Sequence, residues 1–245
     1  MLVNFTKMHG FGNDFVIIDL ITQNPKLHTA HFQRLADRHL GIGCDQVLLV
    51  EPPTTINADF SYKIFNADGS EAAQCGNGIR CIAKFVYDSG LVNKRHLLAN
   101  SKAGDVVCEV HDHNEVMVQL PLRRGSLGNQ HHVEQVADLN SIDIVAQGKK
   151  IALAAKQPLN VSFMQVIDQY NIKLRVYEHG TGVTLACGTA AAAACMQGQK
   201  LKLLADAPIA VQFATGVLYV TVLNSKKIIQ QVGATFTGFT GSFRV

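Results

Sequence analysis

The alternation of apolar and polar residues predicts short strands along most of the chain. The predicted strands cover residues 2–7, 15–20, 47–51, 62–65, 95–99, 105–110, 115–120, 133–136, 160–168, 171–176, 209–213, 217–222, 227–232 and 238–245. Helical spacing is found at residues 29–39, 76–87, 141–147 and 187–199. Many strands with one long helix in each half predict an α+β fold rather than a doubly wound parallel sheet.

Two stretches share one local plan, which is a strand, a Gly-rich polar turn, a Cys-Gly pair and a helix. The first stretch carries Cys75 and the second carries Cys187. A second motif recurs after nearly the same number of residues that separates the two cysteines. The Gly-Asn pair that ends at Asn13 is found again at Asn129. A chain of 245 residues is long enough for two domains of ordinary size. We therefore predict two similar halves.

Each of these cysteines lies where a helix is predicted to begin. The glycine that follows has no side chain to cover the backbone N–H groups of the first turn. Unpaired N–H groups together with the helix dipole make an anion site. The same position lowers the pKa of a thiol, and the thiolate is the reactive form. We therefore predict two low-pKa thiols, Cys75 and Cys187, beside a bound carboxylate or phosphate. A buried thiol near a helix start is the alternative for either cysteine alone, and the matched pair favours function.

The composition is typical of a globular protein that binds neither nucleic acid nor a membrane. Hydrophobic residues make up 47% of the chain and charged residues 17%. The formal net charge is +3, without a basic run, so nucleic-acid binding is not expected. No segment approaches the length of a membrane span, and the N-terminal residues contain no apolar signal region. We therefore expect a cytoplasmic protein.

The six cysteines contain no C-x-x-C pair, so a structural zinc site is not expected and no metal ligands are assigned. A chain of this size without a secretion signal does not need disulfides, and we interpret the cysteines as reduced thiols.

Two polar loops are candidates for contacts with a ligand. The turn at residues 8–14 can present Asn13, although a hairpin loop capped by Asn13 explains the same sequence. The loop at residues 41–46 can present Asp45 and Gln46, although a helix-to-strand loop with Asp45 as a turn former explains it equally well. The local sequence leaves both pairs of alternatives open.

If the two halves face one another, the two cysteines meet across a bound carboxylate. Backbone N–H groups of residues 76–77 and 188–189 would hold the carboxylate, with its α-carbon between the two sulfurs. One thiolate would remove the α-proton while the other thiol protonates the opposite face, which inverts the stereocentre without a cofactor. The helix ends would stabilise the charge that develops on the carboxylate in the transition state.

Five motifs resemble those of one enzyme family over nearly the whole chain. They are MHGFGNDF at residues 8–15, GIGCDQ at 41–46, FNADGSE at 65–71, QCGNG at 74–78 and ACGT at 186–189. These motifs are long and specific, and they resemble those of the diaminopimelate epimerases, which interconvert LL- and meso-diaminopimelate. The resemblance implies a cofactor-independent isomerase of lysine and cell-wall precursor synthesis, whose substrate is a small molecule of the amino-acid class.

The resemblance also implies a role for individual residues. Cys75 and Cys187 would be the two bases, and the carboxylate at the reacting end would be held by Gly76, Asn77, Gly188 and Thr189. The other substrate-binding positions would be Asn13, Gln46, Asn66, Asn129, Asn160, Glu178 and His179.

The fold that the resemblance implies consists of two pseudo-symmetric domains, each a mostly antiparallel sheet wrapped around a central helix. The active site would lie at their interface. The first domain would comprise residues 1–120 joined by the C-terminal segment 236–245, and the second would comprise residues 121–235. The resemblance allows a homodimer, although the sequence does not fix the oligomeric state.

Three departures from the family pattern fall mostly where the far end of the substrate would be recognised. His179 stands where the family has an arginine that holds the distal carboxylate, Val183 where it has a glutamate, and Gln130 where it has a proline. Arginine is always charged and binds a carboxylate through two hydrogen bonds, whereas histidine does neither reliably near neutral pH. The two cysteines are unaffected by these changes.

Three functions therefore stay open. The first is epimerisation of diaminopimelate. The second is racemisation of another amino acid, such as histidine, by the same two cysteines, and the loss of the distal arginine favours it. The third is a non-catalytic binding or thiol-redox protein on the same scaffold, and the glycine that each cysteine keeps at its helix start is evidence against it.

Overall fold

The computed structural model describes residues 1–122, 127 and 130–245. It contains two compact units, the first formed by Met1–Val118 with Ala234–Val245 and the second by Gln119–Gly233. That each unit is an independent domain stays a prediction.

The first unit consists of two helices and a set of strands that precede, separate and follow them along the chain. Its elements in chain order are β1 (Leu2–Gly10), β2 (Asn13–Asp19), α1 (Thr29–Ala36), β3 (Gln46–Glu51), β4 (Phe60–Asn66), β5 (Glu71–Ala72), α2 (Gly76–Asp88), β6 (His96–Ser101), β7 (Gly104–Val110) and β8 (Glu115–Pro121), whose last residues belong to the second unit. The β1–β2 hairpin turns at Phe11 and Gly12, which both have positive φ.

The second unit begins at Gln119, within the last residues of β8. Its elements are β9 (Gln130–Gln135), a 3₁₀ turn (Leu139–Ser141), α3 (Ile144–Ala154), β10 (Leu159–Asp168), β11 (Asn171–Glu178), β12 (Gly182–Thr184), α4 (Gly188–Lys200), β13 (Ile209–Phe213), β14 (Gly216–Leu223), a second 3₁₀ turn (Asn224–Lys226) and β15 (Ile228–Ala234). Its strands are ordered β15-β14-β13-β11-β10-β9, and β12 pairs with β11.

The C-terminal strand β16 (Phe236–Arg244) belongs to the first unit. It pairs antiparallel with β1, from Leu2 opposite Arg244 to His9 opposite Phe236. The strand order of this unit is therefore β16-β1-β2-β3-β4-β6-β7-β8, and β5 pairs with β4. The C-terminus is thus held at the edge of the sheet that contains the N-terminus.

The two units repeat one topology. In the first, β2 and β3 are parallel and joined through α1, and β4 and β6 are parallel and joined through α2. In the second, β9 and β10 are parallel and joined through α3, and β11 and β13 are parallel and joined through α4. The middle pairs, β3–β4 and β10–β11, are antiparallel in both. The predicted α+β class and the two similar halves are confirmed.

One long helix packs against the sheet of each unit. Helix α2 contacts β1, β2, β3 and β7, and Ile79, Ile82 and Val86 are among its buried side chains. Helix α4 contacts β9, β10 and β14. Its buried residues are mostly alanines, which favour helix and let the helix approach the strands closely. In both units, the helix that begins after a motif cysteine is therefore anchored by burial.

Two predicted helices differ from the structure in length, and two short strands were missed. Helix α1 ends at Ala36 rather than residue 39, because Asp37 already has an extended backbone. Helix α3 starts at Ile144, capped by the Asp143 side chain, and runs to Ala154, well beyond the predicted 141–147. Its mid-helix glycine, Gly148, packs against the Tyr177 side chain, where a Cβ would lie 2.6 Å from the nearest atom. The two short strands β5 and β12 were not predicted.

Among the described residues, no helix has the length and apolar character that crossing a membrane would require.

Candidate active site

Cys75 occupies the N-cap of α2 in the first unit, with the extended backbone that an N-cap requires. Its sulfur accepts a hydrogen bond from the backbone N–H of Gly78 at 3.4 Å. Gly76 is the first residue of the helix, and Asn77 is buried beside it. The predicted helix start at a cysteine is confirmed, and the thiol itself caps the helix.

Asn13 lies beside this thiol and joins it to other polar side chains. Its Oδ1 accepts hydrogen bonds from the Cys75 thiol, with an Sγ–Oδ1 distance of 3.7 Å, and from Asn77 Nδ2 at 3.2 Å. Its Nδ2 donates to Asp45 Oδ2 at 2.8 Å. Asn13 is therefore part of a side-chain network at Cys75 and does more than cap the hairpin.

Asp45 belongs to a cluster of charges behind Asn13. Arg38 forms ion pairs with both Asp45 and Asp14, each at 2.8 Å, and Lys7 pairs with Asp14 at 2.7 Å. Burial raises the pKa of the Asp14 carboxyl, but hydrogen bonds from Arg38 and Lys7 together bring it well below its usual range. Asp14 is therefore ionised at neutral pH, and the ion pair with Arg38 holds the Asp45 carboxylate beside Asn13.

Arg80 was not singled out by the sequence. Its guanidinium is fully buried, donates to Asn77 Oδ1 and lies 5.5 Å from the centre of the Phe11 ring. Burial lowers its pKa to about 10, while attraction to Cys81 and Cys75 acts in the opposite direction. A cation therefore lies in the interior of the first unit near the motif cysteine. The available signal was an arginine between the apolar residues Ile79 and Cys81, five positions after Cys75.

Gln46 and Asn66 form a second polar pair in the first unit. They face each other across β3 and β4, and Gln46 Nε2 donates to Asn66 Oδ1 at 2.9 Å. Asn66 Nδ2 donates to Ser70 Oγ at 3.1 Å. Gln46 Oε1 is buried and accepts no hydrogen bond from the described residues, so it is available to a donor group of a ligand.

Cys187 occupies the N-cap of α4 in the second unit. Its sulfur lies 3.3 Å from Thr189 Oγ1 within the first turn. The carbonyl of Gly188 accepts a hydrogen bond from Gln231 Nε2 at 2.8 Å, which ties the helix start to β15. The second predicted helix start is thus confirmed as well.

Glu178 is the charged group beside Cys187. Its Oε1 accepts a hydrogen bond from Thr184 Oγ1 at 2.6 Å. Burial, as the larger cause, and the negative charge of Glu178 together raise the pKa of the Cys187 thiol to about 12. The prediction of a low-pKa thiol at Cys187 was therefore wrong, because desolvation and a neighbouring anion outweigh the hydrogen bonds from Ala190 and Thr189.

The side chain of Asn160 is hydrogen-bonded to the backbone of His179. Asn160 Oδ1 accepts a hydrogen bond from the His179 N–H at 3.0 Å, whereas the His179 side chain is exposed. Asn160 also lies opposite His131 in the β9–β10 register. Burial lowers the pKa of His131 to about 4, so this imidazole is neutral at pH 7. His131 is a polar group of the second unit that was not among the predicted site residues.

The structure groups the predicted site residues by unit. Cys75, Asn13, Asn77, Gln46, Asn66 and Gly76 belong to the first unit, and Cys187, Asn160, Glu178, His179, Gly188 and Thr189 belong to the second. Hydrogen bonds join Asn13 and Asn77 at Cys75, whereas Gln46 and Asn66 are bonded to each other. Asn129 lies outside the described residues. The roles assigned to all of these residues stay predictions.

The fold is shared with several solved structures. A phenazine biosynthesis protein of the PhzF family from Enterococcus faecalis gives a TM-score of 0.75 at 14% identity, covering 100% of both chains. A probable proline racemase from Agrobacterium radiobacter gives 0.71 at 14% identity, covering 99% of this chain and 93% of that one. A hydroxyproline epimerase from Agrobacterium vitis gives 0.69 at 13%, covering 98% and 92%. These likenesses define the fold alone.

The sequence comparisons define the family. The model of the family described as diaminopimelate epimerase matches residues 5–121 and 125–236. A diaminopimelate epimerase from Acinetobacter baumannii is 44% identical over 90% of each chain, and one from Nitrosospira multiformis is 38% identical over 100% of this chain and 99% of that one. The chain belongs to the diaminopimelate epimerase family and is therefore an isomerase. The resemblance seen in the sequence is confirmed.

Proposed function

We propose that this protein epimerises LL-diaminopimelate to meso-diaminopimelate without a cofactor, with Cys75 and Cys187 acting on one substrate molecule. The observation that carries the proposal is the repeated N-cap cysteine, since both α2 and α4 begin directly after a cysteine and within the same topology. Family membership supports the substrate, because the similar proteins from Acinetobacter baumannii and Nitrosospira multiformis bear this name.

In the proposed reaction, the substrate carboxylate is held by the N–H groups that start the two helices. The Cys75 thiolate removes the α-proton, and the electron pair of the C–H bond is delocalised into the carboxylate. The Cys187 thiol donates its proton to the opposite face, leaving Cys75 as the thiol and Cys187 as the thiolate. The raised pKa of Cys187, about 12, supports its assignment as the acid in this direction, because the thiol then carries its proton at neutral pH.

The substrate ammonium group requires acceptors, and two polar groups supply them in the proposal. Gln46 Oε1 is a buried acceptor that the described residues leave unused. Glu178 is an anion beside Cys187. An ammonium group is a donor only, so it suits both groups.

A second candidate function is racemisation of a different amino acid by the same two cysteines. The observation that favours it is the surface next to Glu178, where the His179 side chain is exposed and Val183 is 48% exposed. Neither residue provides the fixed cation that would hold a distal carboxylate. The proton-transfer mechanism is the same for both candidates, and they differ only in the substrate side chain that is recognised.

The proposal includes three further predictions from the sequence analysis. They are a role in lysine and cell-wall precursor synthesis, a cytoplasmic location and a homodimer.

Exchange of the α-hydrogen in D₂O, followed by proton NMR, tests the proposal. The reduced protein is offered LL-diaminopimelate beside a panel of single L-amino acids that includes histidine. We expect exchange and epimerisation of diaminopimelate. Exchange of another amino acid alone would establish the second candidate, and no exchange with any of them would contradict both.

The His179→Arg variant is the matched probe of the distal end. If diaminopimelate is the substrate, restoring a bidentate cation should lower its KM by about tenfold, since a charge-assisted pair is worth about 1.5 kcal/mol or more. A lower KM for diaminopimelate with unchanged kcat would support the assignment, and a rise in KM would contradict it.

A further inference from the structure

Four side chains of the first unit form a continuous row of hydrogen bonds with opposite charges at its ends. Asp45 Oδ2 accepts from Asn13 Nδ2, Asn13 Oδ1 accepts from Asn77 Nδ2, and Asn77 Oδ1 accepts from Arg80. Asp45, Asn13 and Asn77–Arg80 come from three separate parts of the chain: the loop before β3, the β1–β2 hairpin and the first turns of α2. The Cys75 thiol donates to the central oxygen of this row, Asn13 Oδ1.

The two end groups determine which way both amides point. An ionised carboxylate only accepts hydrogen bonds, and a guanidinium only donates them. The Asn13 amide must therefore turn its NH₂ group towards Asp45, and the Asn77 amide must turn its oxygen towards Arg80. This leaves one arrangement in the middle, with Asn13 Oδ1 facing Asn77 Nδ2 and Cys75 Sγ.

The end groups are themselves fixed. Arg38 holds the second oxygen of Asp45 at 2.8 Å, and the backbone N–H of Asp14 donates to Asp45 Oδ2 at 3.0 Å. Arg80 is fully buried and lies over the Phe11 ring. Aligned hydrogen bonds polarise one another, so a row with opposite charges at its ends is more rigid than isolated pairs.

We propose that Asp45 and Arg80 are positioning residues, which fix the amides of Asn13 and Asn77 so that Asn13 Oδ1 faces the thiol of Cys75. Neither residue is among the substrate-binding or catalytic positions assigned above. The inference rests on the proposed function in one respect, which is that Cys75 exchanges a proton during the reaction.

The arrangement has a chemical consequence for Cys75. A carbonyl oxygen facing the sulfur accepts a hydrogen bond from the thiol and offers nothing to the thiolate. If the Asn13 amide turned over, its NH₂ group would face the sulfur and favour the thiolate instead. Arg80, Cys81 and Tyr62 also interact electrostatically with Cys75, and the hydrogen bond from Gly78 N–H favours negative charge on its sulfur. When Cys75 has taken up a proton, Asp45 therefore keeps the resulting thiol in a defined hydrogen bond to Asn13 Oδ1.

The variant Asp45→Asn tests the inference with a minimal change of shape. An asparagine at position 45 can accept or donate, so the Asn13 amide is no longer forced into one orientation. We expect Cys75 to be alkylated by iodoacetamide about fivefold to tenfold faster at pH 7, and kcat for epimerisation to fall about tenfold with KM changed less than about threefold. Peptide mass spectrometry assigns the alkylation to Cys75.

The same substitution in an Asn13→Ala background separates positioning from a direct effect of charge. If Asp45 acts through Asn13, the change in alkylation rate should disappear in that background. An equal change in both backgrounds, or no change in either, would overturn the proposal. The control is Asp112→Asn, which removes an exposed Asp–Arg pair of the same unit and should alter neither quantity.

The opposite end of the row is tested with two replacements of Arg80. Arg80→Lys keeps a positive donor, whereas Arg80→Gln can present either end of its amide to Asn77. We expect the lysine variant to retain at least about threefold more activity than the glutamine variant at matched thermal stability. Equal activity in the two would overturn the assignment of Arg80.

Alkylation does not require turnover, so the two proposals fail separately. A wild-type protein that epimerises no amino acid would contradict the proposed function, and the alkylation rates would still test the positioning of Cys75.

Discussion

Cys75 and Cys187 occupy the same position at the start of two helices of equal length, and yet their surroundings carry opposite charges. The Cys75 sulfur accepts a backbone N–H and lies within the electrostatic reach of the buried cation Arg80. The Cys187 sulfur lies beside the Glu178 carboxylate, which together with burial raises the pKa of this thiol to about 12.

The comparison shows that a shared local motif does not determine the charge environment of a cysteine. Both cysteines are N-cap residues, but the charges beside them differ, since they come from Arg80 inside α2 and from Glu178 at the end of β11. A two-base reaction needs one acid and one base at the start of each turnover. In the proposed reaction, the raised pKa of Cys187 suits the acid, and the cation near Cys75 suits the base.

Removing either thiol should have the largest effect. We expect Cys75→Ala and Cys187→Ala each to lower the rate of epimerisation at least about a thousandfold, because each loses one of the two proton-transfer groups. The measurement is conversion of LL- to meso-diaminopimelate by NMR. Cys195→Ala, a buried thiol further along α4, is the control and should keep nearly full activity. Full turnover by both single variants would refute the two-base assignment.

Removing the charge of Glu178 should reduce the difference in charge environment between the two cysteines. Glu178→Gln eliminates the anion that helps to raise the pKa of Cys187, so this pKa should fall, although burial, the larger cause, still keeps it above its ordinary value. A lower pKa means more thiolate at a given pH. We therefore expect Cys187 to be alkylated about tenfold faster at pH 9, since one pKa unit corresponds to a factor of ten.

The control for this measurement is Glu134→Gln, which removes an exposed carboxylate of the same unit. It should leave the alkylation rate of Cys187 unchanged. A Glu178→Gln variant with the wild-type rate would show that burial alone sets the protonation of Cys187.

The smallest expected effect concerns two glycines in the first turns of α2 and α4. A Cβ at Gly188 would lie 2.8 Å from Gln231 Oε1, whereas a Cβ at Gly78 would lie 3.4 Å from its nearest neighbours, which is an ordinary contact. We expect Gly188→Ala to lower the free energy of unfolding by about 1 kcal/mol or more, and Gly78→Ala to leave it nearly unchanged. Urea denaturation of both variants measures the difference, and equal losses would contradict the contact at Gln231.

Much of the fold was predictable from the sequence because it depends on local pattern. The period of apolar residues located nearly all of the longer strands, and the Cys-Gly pairs located the starts of α2 and α4. The repeated motif also predicted the two similar halves. Helix α3 was predicted too short, because the sequence does not reveal that Gly148 is required for contact with Tyr177 in β11.

The chemistry of the two cysteines was decided by the tertiary structure. The row from Asp45 through Asn13 and Asn77 to Arg80 joins three separate parts of the chain, and Glu178 approaches Cys187 from β11. The sequence by itself determined where the two thiols lie, because helix starts and glycines are local features. Their charge environments depend on burial and on groups distant in the chain, and folding alone brings those together.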